Sequence, residues 1–254
     1  MRICGLQKLS MVDFPGRLAA TVFTGGCNLR CPWCHNPENL SAAPSELNYK
    51  VTGKKEILGK SVSAEEIIKE LLDDKDYYDE SDGGVTLSGG EAMLQAEEIV
   101  ELASLLKENG VSVLIDTAGC VPYSSFEKLN PYISGYLFDF KTADADKYRE
   151  IGGSLALVSE NIKKLKDDGI NIFIRIPLIP DFNTNTEEIQ AICDHLRNIN
   201  IENVELIPFH RLGSAKYDAM GLDYKYKTQT PLTKEKLNEI EENFAKYFTV
   251  KIER

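Results

Sequence analysis

The sequence has little histidine, tryptophan or cysteine: 3, 1 and 6 residues in 254. So few cysteines cannot staple a chain of this length, which excludes a secreted-type disulfide framework. No apolar run is long enough to span a membrane, and residues 1–10 have neither an apolar signal core nor a cleavage site. A cytoplasmic protein with free thiols is expected. Basic residues are also in the minority, 29 against 40 acidic, for a net charge of −11. Nucleic-acid binding needs a basic face, so neither nucleic acid nor a membrane is expected as a partner. There is no internal repeat and no low-complexity tract. The 43% hydrophobic content is ordinary for a chain that buries a core.

Half of the cysteines lie in one stretch, Gly25-Gly26-Cys27-Asn28-Leu29-Arg30-Cys31-Pro32-Trp33-Cys34-His35-Asn36. The spacing is C-x3-C-x2-C, with an aromatic residue before the third cysteine. A cubane [4Fe–4S] cluster normally takes four thiolates. Three, with no obvious fourth, leave one iron open to a small molecule. The competing reading is a closed zinc site with His35 as fourth ligand, which would make the protein a structural or sensor module. Cys4, Cys120 and Cys193 stand singly and read as small packed side chains.

Short β-rich runs alternate with amphipathic ones along the chain. Strands are expected over 19–23, 84–88, 111–116, 136–141, 170–176 and 204–208, with a short one near 249–253. Helices are expected over 63–74, 96–109, 123–129, 155–168, 187–198 and 233–247. The first opens on the capping box Ser63-Ala64-Glu65-Glu66. Such alternation implies a parallel sheet. The fold class expected is α/β, a partial (β/α)6 barrel in one domain over 1–254. Residues 40–60 read as a loop insertion, and the acid-rich 73–82 as a solvated helix end and loop.

The polar residues of interest fall at the carboxyl ends of these strands, where parallel α/β folds bind ligands. Gly89-Gly90 allows close backbone approach, and Glu91 can accept a hydrogen bond from an amino group. Asp116-Thr117 ends the third strand. Alternation places Asp139 and Lys141 on one face of the fourth, as a ligand-binding pair or a structural ion pair. Arg175 is a charge in an apolar strand and could meet a carboxylate. His210 follows the sixth strand, whereas His195 reads as a solvated surface residue.

With these motifs in place, the chain resembles the radical S-adenosylmethionine (SAM) superfamily and, within it, the activating enzymes of glycyl radical enzymes. The pyruvate formate-lyase group is the most similar. The likeness rests on Cys27–Cys34, Asp13-Phe14-Pro15-Gly16, the run from Gly84 to Ala92, Asp116-Thr117, Asp139–Lys141 and the run from Glu205 to Tyr217, and it spans about residues 5–230. It implies one [4Fe–4S] cluster on Cys27, Cys31 and Cys34, with SAM chelating the open iron. Reductive cleavage to a 5′-deoxyadenosyl radical would follow, then hydrogen abstraction from a glycine of the partner enzyme. It further implies Trp33 and His35 at the adenosine, Gly90 and Glu91 at the methionine amino group, and Asp139, Lys141 and His210 at the ribose and methionine. Arg175 joins this cofactor-binding set, and Asp116, Thr117 and Asp139 match a monovalent-cation site. A flavodoxin or ferredoxin reductant and a monomeric state complete the expectation. Activators of anaerobic ribonucleotide reductase share the opening motif, and a radical SAM enzyme acting on a small molecule is the other alternative. Two departures stand out. Ala118 occupies the position of the family's usual asparagine, and 40–60 lacks the cysteine-rich insert of many dehydratase activators.

Overall fold

A computed structural model describes residues 1–252 of the chain. The strands are β1 (Arg2–Ser10), β2 (Ala19–Thr24), β3 (Ser45–Tyr49), β4 (Lys54–Leu58), β5 (Lys60–Ser61), β6 (Gly84–Gly89), β7 (Ser112–Thr117), β8 (Gly135–Asp139), β9 (Ile172–Leu178), β10 (Asn203–Pro208) and β11 (Thr249–Ile252). The helices are α1 (Ala64–Leu72), α2 (Lys75–Ser81), α3 (Ala96–Glu108), α4 (Tyr123–Leu129), α5 (Ala145–Glu150), α6 (Leu155–Asp167), α7 (Thr186–Asn198), α8 (Ser214–Met220) and α9 (Lys234–Ala245). One nine-stranded sheet runs in the order β11-β10-β9-β8-β7-β6-β2-β1-β5. From β2 to β11 every neighbouring pair is parallel; β1 and β5 extend the β2 edge antiparallel.

Crossover helices cover the outer face, as right-handed β-α-β connections require. Along α3 the residues Ile99, Leu102, Ala103 and Leu106 recur at helical spacing and are all buried. The strands they cover are buried on both faces, which explains near-continuous apolar runs such as Val113-Leu114-Ile115. A second, small cluster of Phe14, Ala19, Leu114 and Leu137 lies on the other face. Leu114 precedes Asp116 by two residues and so shares its face. Phe14, from the β1–β2 connection, thus packs on the concave side of the sheet, below the charged residues.

Several segments differ from the expectation. Residues 40–60 contain the β3–β4 hairpin rather than a loop alone. Its first strand alternates buried and exposed positions about Leu47, and Gly53 supplies a positive φ of 70° at the turn. The acid-rich 73–82 contains α2, because Tyr78 supplies a buried anchor and the acids keep to the wet side. Strand β1, helix α5 and helix α8 lack a clear periodic signature and were not expected. Strand β8 stops at Asp139, two residues early, and β9 is shifted two residues onward at both ends. Of the expected last strand, Glu253 lies outside the described residues.

One carboxylate ties two strand ends together. Glu91 is 0% exposed. It accepts hydrogen bonds from the Thr117 hydroxyl (2.7 Å), the Met93 N–H (3.1 Å) and the Ala118 N–H (2.9 Å). Burial pushes its carboxyl up to about 7, against the pull of these three donors. A carboxyl raised in the folded state binds its proton more tightly than in the unfolded chain. Its contribution is therefore fully present below the unfolded value and lost as pH rises through about 7.

Two outcomes are expected. Relative to Glu91→Gln, the wild-type chain gains stability as pH falls from 8 to 5, read from urea midpoints; a pH-independent difference would show that Glu91 does not titrate there. Phe14→Ala costs about 3 kcal/mol in the same assay, from lost burial plus an unfilled cavity on the concave face.

Candidate active site

The cysteine loop leaves β2 at Thr24 and is held by backbone bonds from four directions. Gly25 N–H donates to Arg2 (3.2 Å), Gly26 N–H to Asn39 (2.8 Å), Arg30 N–H to Ile151 (2.8 Å), and Glu91 N–H donates back to Gly26 (2.9 Å). The amide of Asn28 also donates to the Cys120 carbonyl (2.6 Å). The Gly89-Gly90 pair makes this docking sterically possible. A Cβ on Gly90 would stand 2.2 Å from the Gly26 oxygen and 2.5 Å from that of Asn39. One on Gly89, at φ +127°, would stand 2.2 Å from the Thr24 nitrogen. The close approach expected toward a ligand is thus made first toward the cysteine loop itself.

The loop roofs a cavity of about 310 Å³ at the carboxyl edge of the sheet. Cys27, Cys31 and Cys34 line it with Trp33, His35, Gly90, Asp116, Thr117, Asp139, Lys141, Arg175 and His210. Twelve of the thirteen residues singled out from the sequence therefore meet in one place. All three thiols are free. Burial pushes Cys31 up to about 12, against the pull of Lys141, and Cys34 up to about 11, against the Asn36 N–H. Cys27 is raised by the same cause although it accepts a bond from Leu29 N–H at 3.4 Å. Three mutually repelling thiolates in a buried pocket require bound cationic charge. Among the described residues no three His, Cys, Asp or Glu side chains form a single-ion ligand set. Three thiols without a fourth fit a cluster, where each takes its own iron and one iron is left open, better than a closed tetrahedral zinc site.

Glu91 is the exception. It does not line the cavity, and its carboxylate is bonded by Thr117, Met93 and Ala118, where it acts as a structural tie. Ala118 meets this carboxylate through its backbone N–H alone. Below the loop, Lys141 is 8% exposed and ion-paired with Asp139. Burial opposes its charge, but Asp139 and the nearby Cys31 outweigh that and hold its pKa above the ordinary lysine value. Lys141 lies two residues beyond β8, so the pair forms across a strand end rather than along a strand face. Asp116 is pushed up by burial and then by Asp139, with Arg175 and a 2.7 Å bond from the Ser88 hydroxyl pulling it down. Arg175 does meet a carboxylate: its Nε donates to Glu205 at 3.0 Å, and Lys251 pairs with the same group. Ser88 and Glu205 lie in stretches that the sequence marks, but neither is given a role of its own there. Each is a polar residue inside an apolar strand, the same signal that marked Arg175.

On the far wall His35 and His210 stack, with ring centroids 4.1 Å apart at 22°. Burial and then the neighbouring His210 lower His35 to about 4, so the ring is neutral at physiological pH. Trp33 is buried against Phe182, with centroids 4.4 Å apart. His195 is not the solvated residue expected. It shares a 2.8 Å hydrogen bond with Ser159 and stacks on Phe140, both away from the cavity.

Among the described residues no helix is long and apolar enough to cross a membrane. Residues 21–196 match the pattern of the radical SAM superfamily. The chain is 36% identical to the pyruvate formate-lyase-activating enzyme of Clostridium pasteurianum over 242 residues, covering 94% of this chain and 95% of that one. It is 33% identical to the trans-4-hydroxy-L-proline dehydratase activating enzyme of Clostridioides difficile, covering 98% of each. A solved domain of a pyruvate formate-lyase-activating enzyme from Bacteroides vulgatus superposes with a TM-score of 0.56 at 21% identity, over 68% of this chain and 99% of that one, which bears on the fold alone. The chain belongs to the radical SAM superfamily, among the activating enzymes of glycyl radical enzymes, whose cofactors are a [4Fe–4S] cluster and SAM.

Proposed function

We propose that this chain, as one domain over 1–254, activates a glycyl radical enzyme of the pyruvate formate-lyase type. The observation that carries the reading is the shared cavity: three buried thiols face a polar wall of Lys141, Asp139 and Asp116 at the open edge of a parallel sheet. Cys27, Cys31 and Cys34 would hold the cluster. When bound, the reduced cluster and SAM supply the hydrogen-abstracting chemistry.

The protein's own part is orientation and exclusion of water. Trp33 and the neutral His35–His210 stack offer flat surface to the adenosine. The Gly90 backbone faces the methionine end. Lys141, fixed by Asp139, offers a cation to a carboxylate, and Arg175 is held in the cavity wall by Glu205. Asp116 and Asp139 repel each other across the cavity, and that repulsion suits a monovalent cation with Thr117 beside it. The electron must come from a separate carrier, a flavodoxin or ferredoxin, and the activase works as a monomer in the cytoplasm. The match to the C. pasteurianum activase covers 242 positions. That to the dehydratase activase stretches over 297 against 254 residues here, so that relative has insertions this chain lacks. This supports the pyruvate formate-lyase type.

The test is anaerobic. Reconstituted, reduced protein with SAM and purified pyruvate formate-lyase is expected to give a glycyl-radical doublet by electron paramagnetic resonance, lost in Cys31→Ala. Deoxyadenosine without a doublet would move the partner to another glycyl radical enzyme; no deoxyadenosine from an intact reduced cluster would overturn the reading. Lys141→Met is expected to raise the KM for SAM about 10- to 100-fold, as for loss of a charge-assisted bond.

A further inference from the structure

The chain that follows β10 folds back over the cysteine loop as a strap. It passes through His210, turns at Gly213, forms α8 and continues to Tyr226. Beside ring contacts of Trp33 with Tyr226 and of His35 with Phe209, four further contacts bind it to the loop. His210 stacks on His35. Gly213 comes so close that a Cβ there would stand 3.0 Å from the His35 Cα and 3.1 Å from its oxygen. The Tyr224 hydroxyl donates to the Trp33 carbonyl at 3.4 Å. The fourth contact is ionic: Lys216 Nζ, from α8, donates to Asn36 Oδ1 at 2.7 Å and to Glu38 Oε1 at 2.5 Å.

The fourth contact differs in kind from the others. Stacking and backbone packing need only shape, whereas the Glu38 carboxylate needs a counter-charge. Its side chain is 6% exposed, and its Oε2 has no hydrogen-bond partner. Among the described residues Lys216 is the one cation paired with it. Glu38 lies four residues beyond Cys34. Without Lys216 a bare negative charge would be buried beside the thiols. Lys216 is the more exposed member, at 32% of its side chain, so removing it leaves Glu38 as the desolvated survivor without a counter-charge.

Resting on the cluster assignment made above, we propose that Lys216 is a positioning residue: it pins the strap to the cysteine loop through Asn36 and Glu38 and cancels the charge of Glu38 beside the cluster thiolates. The strap carries His210 into the cavity wall, so the same clamp sets how firmly that wall is held against SAM.

Three measurements test this. In the metal-free chain, amide hydrogen exchange of 34–38 and 208–226 is expected to rise at least tenfold in Lys216→Met and to return toward wild type in Lys216→Arg. Unchanged exchange in Lys216→Met overturns the clamp, and this readout is independent of whether the cluster reading holds. In the anaerobically reconstituted protein, the midpoint potential of the cluster is expected to shift negative in Lys216→Met, because an added electron meets an uncompensated carboxylate. It should shift positive in Glu38→Gln and return to the wild-type value in the Glu38→Gln/Lys216→Met double variant. KM for SAM should rise several-fold in Lys216→Met with kcat nearly kept. Identical potentials in all four proteins overturn the charge role. A double variant as displaced as Lys216→Met does the same, since it would assign the effect to loop disorder rather than to Glu38.

Discussion

The cavity depends on one steric constraint, the meeting of two backbones at the carboxyl edge of the sheet. Gly90 lies where any side chain would strike the carbonyl oxygens of Gly26 and Asn39. Because it has none, the end of β6 and the cysteine loop come within hydrogen-bonding distance, and the loop lies across the sheet instead of projecting from it. Glu91 completes the same junction from the other side by fixing the first residues after β7. Cysteine spacing, strand order and the polar wall face one another only because this junction closes.

The charges inside the cavity are balanced by position more than by pairing. Asp116 and the thiols of Cys27, Cys31 and Cys34 line its walls, and for each of these four burial is the largest influence against the charged form. Lys141 sits among them with two roles, as partner of Asp139 and as the cation that pulls down the Cys31 thiol. A buried ion pair is weak support for stability, so its presence here is better understood as preparation for a charged guest. Arg175 and Glu205 form a second, lower tier that keeps a further charge from being left alone in the sheet.

Much of this was legible in the sequence. The parallel body of the sheet follows from alternation, and six strand ends carry polar residues that no buried strand would otherwise keep. What was missed has physical reasons. Strand β1 has no clean period because a register shift interrupts it between Gln7 and Ser10. The β3–β4 hairpin is short and mostly wet, so its composition reads as loop. Glu91 looked like a ligand contact because a glutamate after two glycines at a strand end has two uses, and only burial tells them apart. His195 looked solvated because its partners, Ser159 and Phe140, are distant in sequence.

The strap has a consequence for how such a site diversifies. Residues 21–196, which carry the superfamily pattern, contain the thiols and most of the polar wall. The remaining wall comes from Val12 and Asp13 before that span and from the stretch with Phe209 and His210 beyond it. The thiol-bearing stretch and the covering stretch are thus separate parts of the polypeptide, joined by the β9–β10 pairing and by the strap's contacts with the loop. Substitution in the cover can therefore reshape one wall of the cavity without touching the three thiols.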